Sequence, residues 1–493
     1  MNTSFWILLA LGMVLTIAAI VTKAIQFFTA EPKVTVDYLA EYNKISKPDG
    51  FDPNDNAYEL YKKAYEVYVR PSEEVKETLN GWHEDINETQ KAALQEWLGK
   101  NAECMKYLEE GNKKKFFWAE LDMRVDAWEK DDSKAKEDGK NNDIMSWPAR
   151  TGARIFEQRA RVAAMDGYFD EALTALMECW KIGEHYSNPK LLLGIRGGLS
   201  VKERALEVAF RILDSSKLDV NDLRLWQESW QKTFDENKYR PSFETDRLIW
   251  YGYIQKNFAY HPKGKGRLAW KKAKEFDHFD DCSSIGKDGK IHEVWKRTGI
   301  NPRYCCLFGP TSNKVKRLID YICEHYEKYG DETPWFCYYS EQKFQREIEE
   351  WKVKHPLPKM MYIIPDLSRF WLSYHRLKAK SDALITVIAL LRFKADQGHY
   401  PKNLEMLRPR EGFRYLEKLP QDPFSEGPLA YHWLVDDFEL YSVGPDFNDD
   451  EGKRTHDGYP FSGDNKGDDV FWPPFRLNRE NIKFMPSKDR PKP

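Results

Sequence analysis

The sequence is short of the patterns that announce an enzyme. No Gly-x-Ser-x-Gly elbow and no Gly-x-x-x-x-Gly-Lys-[Ser/Thr] loop occurs, which excludes the usual serine-hydrolase and phosphate-cradling signatures. His292-Glu293 lacks a second histidine four residues after the first, so it is no zincin helix. The chain has no basic excess: 76 Lys and Arg stand against 79 Asp and Glu, a net charge of -3, which argues against a dedicated nucleic-acid binder. Cysteine is sparse, 7 in 493 residues, and no pair of Cys-x-x-Cys spacings offers a structural zinc site. Cys282, Cys305, Cys306, Cys323 and Cys337 crowd one region. That crowding is compatible with disulfides in an oxidising compartment, and the odd total leaves at least one thiol unpaired within the chain.

Long hydrophobic runs are also missing, with one exception. Phe5 to Val21 is uncharged and mostly apolar. With its flanks it reaches the ~20 residues that cross a bilayer. No basic segment precedes it, and it exceeds the ~7–15 residues of a signal-peptide core, so an uncleaved anchor is the expectation. Lys23 and Lys33 follow the span and bias that side weakly toward the cytoplasm.

What remains is long and highly charged, 31% Asp, Glu, Lys and Arg, with 17 Trp, 26 Tyr and 27 Phe. The aromatics are expected to fill helix interfaces. The chain divides by pattern into an anchor (1–30), a helical region with a charged linker at Glu129–Asp143 (31–145), a helical body (146–365), a terminal module (366–475) and a tail (476–493). Helices are expected from Ala57, over Thr89–Leu108, Val201–Leu213 and Val220–Phe234. Pro148–Tyr186 reads as a helical hairpin turning at Gly167, and it resembles one tetratricopeptide unit. No second copy recurs at a fixed period, so the fold class is mainly α: an irregular helical array, weakly tetratricopeptide-like, with an N-terminal transmembrane helix and a small C-terminal α+β domain. Lys263-Gly264-Lys265-Gly266-Arg267 and Trp270-Lys271-Lys272 mix charge with aromatics, and read as a flexible, solvated loop.

The end of the chain carries the most pattern. Asp366 is placed to cap a long helix whose stripe continues through Leu384, Ile385, Ile388, Leu391 and Ala395, and Gly398 and Pro401 stop it. Leu429–Trp433 and Phe438–Val443 then read as two strands turning at Asp436-Asp437. The order Gly398-x-Tyr400-Pro401, Leu419-Pro420-x-Asp422-Pro423, Tyr431, Ser442-x-Gly444-x-Asp446 resembles the globular part of the major pseudopilin of type II secretion. The span here lacks a pseudopilin processing signal and lies far from this segment, so the segment reads as a terminal domain of an envelope protein. The resemblance implies calcium in the C-terminal loop. Asp446-x-Asn448-x-Asp450 presents oxygens at alternate positions, as the start of an EF-hand loop does, with Asp468 and Asp469 available to close the shell. Gly452 falls one residue late for that motif and no distal Glu follows.

The leading expectation is a non-enzymatic, membrane-anchored scaffold that contacts other proteins. It would be single-pass in the inner membrane, with its soluble part on the periplasmic side, where a pseudopilin-like head and calcium both belong. The alternatives are a cell-envelope hydrolase using the acidic-loop carboxylates, with His399 and His432 the nearest histidines, or an accessory secretion component.

Overall fold

A computed structural model describes residues 3–80, 86–120, 146–187, 192–236, 242–272, 302–330, 332–355, 367–409, 414–454 and 467–474. The linker Glu129–Asp143, the His292-Glu293 pair, Cys282 and the cap position Asp366 lie outside these residues. The described chain is mainly helical. Its elements are α1 (Thr3–Thr29), α2 (Tyr38–Ser46), α3 (Tyr58–Val67), α4 (Glu73–Asn80), α5 (Glu88–Lys100), α6 (Ala102–Asn112), α7 (Ala153–Met165), α8 (Phe169–Ser187), α9 (Leu192–Ser215), α10 (Val220–Glu236), α11 (Glu244–Asn257), α12 (Pro302–Phe308), α13 (Ser312–Lys328), α14 (Pro334–Lys354) and α15 (Leu367–Gln397), with strands β1 (Ala430–Trp433), β2 (Phe438–Ser442) and β3 (Asp469–Trp472).

One helix among the described residues, α1, is long and apolar enough to cross a membrane, and its Leu11–Thr29 stretch is not buried against the protein. The chain forms two compact units. One comprises residues 1–45, 243–328 and 338–367, and the other residues 46–242, 329–337 and 368–493.

In the second unit the hairpin expected at Pro148–Tyr186 is α7 and α8, preceded by a wide turn at Pro148–Gly152. Gly167 takes φ +80°, Tyr168 N–H donates to the Ala163 carbonyl (2.9 Å) and Gly167 N–H to that of Ala164 (3.1 Å). These two bonds are the left-handed glycine cap that ends many helices. α9 crosses α8 closely because Gly183 has no side chain; a Cβ there would meet Lys202 Cγ at 2.8 Å. The stretch Thr89–Leu108 is two helices and not one. Asn101 breaks it: fully buried, it accepts from Val69 N–H (2.9 Å) and donates to the Val69 and Trp97 carbonyls (3.1 and 3.0 Å). A buried side chain that bonds the backbone this way competes with helix continuation.

α15 runs through this unit. Ala383, Leu384 and the residues from Thr386 to Leu390 are all buried, so no polar face survives there. Lys380 on α15 is also buried and pairs with Glu203 (3.1 Å) and Glu207 (2.5 Å) of α9. The helix ends as its sequence suggests, with Gly398 at φ +80° donating to the Lys394 carbonyl at 2.8 Å.

The strands form one antiparallel sheet in the order β1-β2-β3, with Ala430 opposite Tyr441 and Trp433 opposite Phe438. β3 goes beyond the two strands that the sequence pattern predicts. The turn also differs. Val435 takes φ +67°, and Asp436 N–H donates to the Leu434 carbonyl at 2.8 Å. This is a γ-turn on a left-handed β-branched residue, a strained arrangement.

In the first unit α11 and α13 pack together, and Lys316 sits over the Tyr38 and Tyr251 rings at 5.2 and 4.7 Å. His325 on α13 stacks on Phe344 of α14 at 3.7 Å and bonds Glu341 at 2.9 Å. The cysteines among the described residues are buried, and Cys104, Cys179, Cys305 and Cys323 are free thiols, so the crowding around Cys305 is not matched by a disulfide between described residues.

Candidate functional site

The residue order of the terminal module resolves into a clamp centred on Asp422. This carboxylate is 2% exposed. Its Oδ1 accepts from Phe424 N–H (3.0 Å) and Ser442 Oγ (2.7 Å), and its Oδ2 accepts from Val443 N–H (3.0 Å). Burial raises the Asp422 pKa, and those three donors offset part of the rise. Gly444 follows at φ +75°, and a Cβ there would lie 3.1 Å from the Gly467 carbonyl oxygen. Ser, Val and Gly at 442–444 are therefore set by one buried acid and one close backbone approach.

Beyond the clamp, four of the five residues expected to hold a cation come together. Asp446 Oδ1 accepts from Asn448 N–H (3.2 Å) and its Oδ2 from Gly467 N–H (3.0 Å). Asn448 donates its amide to Asp450 Oδ1 (2.9 Å). Asp468, 3% exposed, accepts Asp450 N–H at 3.3 Å and Gly452 N–H at 2.7 Å, one on each oxygen. Asp469 turns elsewhere and pairs with Arg376 of α15 at 2.9 Å. Burial, joined by Asp449 and Asp450 nearby, pushes the Asp468 carboxyl up to about 6 against the pull of its two amide donors. The loop backbone is bent to match, with Phe447, Glu451 and Gly452 at positive φ.

The donor set suits a hard cation in part. Asp446, Asp450 and Asp468 each keep lone pairs beyond those their amide donors use, and Asn448 offers an oxygen after its amide rotates. Calcium takes 6–8 oxygens, so water or carbonyls would complete the shell. Among the described residues no three His, Cys, Asp or Glu side chains already stand as a ready metal site.

A second group lies on one face of β1 and β2. His432 is directly opposite Glu439, with Nδ1 3.3 Å from Oε2, and its Nε2 is 3.2 Å from the Tyr441 hydroxyl. Tyr441 O–H donates to Asp449 Oδ1 at 3.0 Å. Burial, then Asp449, raises the Tyr441 pKa, which keeps the phenol protonated. From the sequence His432 reads as a turn or strand residue and as one of the two histidines nearest the acidic carboxylates. The strand alternation holds the missing signal, because His432, Glu439 and Tyr441 share one face once the register is known. His399 is separate and contacts the Tyr400 carbonyl at 2.9 Å.

No family model, no curated protein and no solved structure matches this chain. The carboxylates of Asp422, Asp446 and Asp468 are turned inward to backbone donors, and the nearest hydroxyl, Ser442, is fully buried and committed to Asp422. That arrangement fixes chain segments to one another and presents no activated nucleophile.

Proposed function

We propose that this protein is a membrane-anchored scaffold, single-pass in the inner membrane, whose helical body and pseudopilin-like terminal module contact other proteins on the extracytoplasmic side. The observation that carries the reading is the β1–β2 tip. Trp433, Leu434 and Val435 stand exposed in succession (39, 51 and 60%) on a strained turn. Exposed apolar residues held at a backbone cost are a mark of contact surfaces. Calcium joins the reading as a brace of the loop from Asp446 to Asp468, holding the strands that carry this tip. An accessory secretion role rests on the fold resemblance alone. The hydrolase alternative has less support: Asp446 and Asp468 accept from backbone amides, Asp450 from the Asn448 side chain, and Asp469 pairs with Arg376.

A photo-crosslinker placed at Leu434 in membranes tests the contact. Discrete adducts with a second protein are expected, and their absence, with a labelled control at Lys100 equally clean, would remove the proposal. Calcium is tested separately on the full chain. Its melting temperature should rise with calcium and fall back with a chelator, and an unchanged melt would take the ion out of the account.

A further inference from the structure

The basic segment Lys263-Gly264-Lys265-Gly266-Arg267 has the composition of a floppy loop, yet it is held at every step. Phe258 and Leu268 form an antiparallel bridge, with Ala259 N–H on the Arg267 carbonyl (2.8 Å) and Ala269 N–H on that of Asn257 (2.9 Å). The start of α13 clasps the tip, with Ser312 N–H on the Gly266 carbonyl (2.7 Å) and Asn313 N–H on that of Gly264 (3.1 Å). Both glycines are required. A Cβ on Gly266 would sit 1.7 Å from the Ala259 carbonyl oxygen, and one on Gly264, at φ +61°, 1.9 Å from Asn313 Oδ1. The glycines face inward and the lysines outward, so Lys263 and Lys265 are exposed on a rigid frame.

This frame is stitched to the end of α1, within the same unit. Tyr260 N–H donates to the Glu31 carbonyl at 2.9 Å, Lys271 pairs with the Glu31 carboxylate, and Lys33 sits 5.3 Å over the Tyr260 ring. Trp270 packs edge-on against Phe28 and Phe27, at 4.8 and 6.1 Å between ring centres. The level of these contacts follows from helix geometry. The apolar run stops before Lys23, and Phe28 lies five residues further on. At ~1.5 Å per residue it stands roughly 7–8 Å above the hydrocarbon edge. The polar layer of each leaflet is about 5–8 Å deep. Phe28 and the Trp270 packed on it therefore stand at headgroup level, where tryptophan prefers to sit, and Tyr260 lies just above them. Around them Lys23, Lys33, Lys263, Lys265 and Lys271 are all exposed, and Glu31 is the acid among them.

From the rigid loop, its attachment to α1 and this charge pattern, we propose that residues 258–272 form a docking surface for the headgroups of an anionic phospholipid bilayer. The proposal rests on the reading of α1 as a membrane span. It applies to whichever leaflet the end of α1 emerges from. Cations held within a Debye length of about 8 Å of an anionic surface are drawn to it, and salt weakens the attraction.

The test uses the full chain reconstituted into nanodiscs of phosphatidylcholine alone or with a third of the lipid replaced by phosphatidylglycerol. A short amine-reactive pulse is read by mass spectrometry. Labelling of Lys263 and Lys265 is expected to fall about fivefold in the anionic discs, to recover in high salt, and to stay unchanged at Lys100. In a Lys263→Gln/Lys265→Gln chain, Lys33 should lose much of its protection. Equal labelling in both discs, with the chain retained in them, overturns the docking surface alone. Equal protection by inorganic phosphate in neutral discs would make it a small-anion site and also overturn it. A chain that leaves the discs overturns the span, and this proposal with it.

Discussion

His375 offers a perturbation whose size and sign both follow from its surroundings. It lies on α15, 2% exposed, and neither ring nitrogen has a hydrogen-bond partner among the described residues. Its neighbours are the rings of Trp371 and Tyr374 at 5.2 Å each. Burial, aided by the Lys378 charge, depresses its pKa from the usual 6.5 to about 3. A histidine kept neutral in the folded state contributes stability that is present above the free-imidazole value and is lost as pH falls toward the folded one. At pH 5 the unfolded imidazole is nearly all charged and the folded one is not. The loss from pH 7 to pH 5 is then about 2 kcal/mol, from ~1.36 kcal/mol for each pH unit below the free value. Replacing His375 by Phe removes that loss and also an unsatisfied polar group worth ~1–3 kcal/mol, against which some overpacking must be set. The His375→Phe chain should be no less stable than wild type at pH 7 and about 2 kcal/mol better at pH 5. Denaturant unfolding of both chains at the two pH values measures this. Asp382 and Asp468, whose folded carboxyls hold protons up to about 6, gain stability as pH falls through that value. They act equally in both chains, so the difference between chains is the quantity to read. A variant that loses as much stability as wild type between pH 7 and pH 5 would refute the reasoning.

Three further outcomes can be measured by the same unfolding experiment. Asp422→Asn turns an amide donor toward Val443 N–H or toward Ser442 and Phe424, and should cost ~2–4 kcal/mol, whereas Ser442→Ala should cost only about 1. Lys380→Met takes the buried Lys380 cation away from half-buried Glu203 and Glu207 and should cost ~3 kcal/mol, most of it recovered when both glutamates become Gln. His185, depressed by burial to about 4, has Nδ1 2.6 Å from the Tyr61 hydroxyl, which itself donates to Asn112 Oδ1 (2.5 Å), and its Nε2 is 2.9 Å from the Lys114 carbonyl. His185→Gln should therefore lose stability at pH 7 yet also lose about 2 kcal/mol of the wild-type decline between pH 7 and pH 5.

Local patterns predicted the local elements well. The apolar run became α1, Gly167 and Gly398 became left-handed caps, and Leu429–Val443 became a hairpin, because each depends on a few neighbouring residues. Failures came where distant residues decide. Asn101 breaks a helix through bonds to Val69, which no periodicity reveals. β3 pairs with β2 across a long separation and begins with an acid, Asp469, which is held by Arg376 on α15. The Lys263–Arg267 segment looked mobile because glycine usually means freedom, and here it means close packing against Ala259 and Asn313. Of the expected cation ligands, Asp446, Asn448, Asp450 and Asp468 are joined by hydrogen bonds within one loop, and Asp469 turns away to Arg376. The row of His432, Glu439 and Tyr441 needed a strand register to be seen.

The anchor is the part of the account on which location, orientation and lipid contact all depend. Its most direct test is the intact mass of the protein recovered from membranes washed with alkaline carbonate. The account predicts a carbonate-resistant chain that still carries residues 3–29 as its first helix. A carbonate-soluble protein whose mass shows cleavage near Thr29-Ala30 would contradict it.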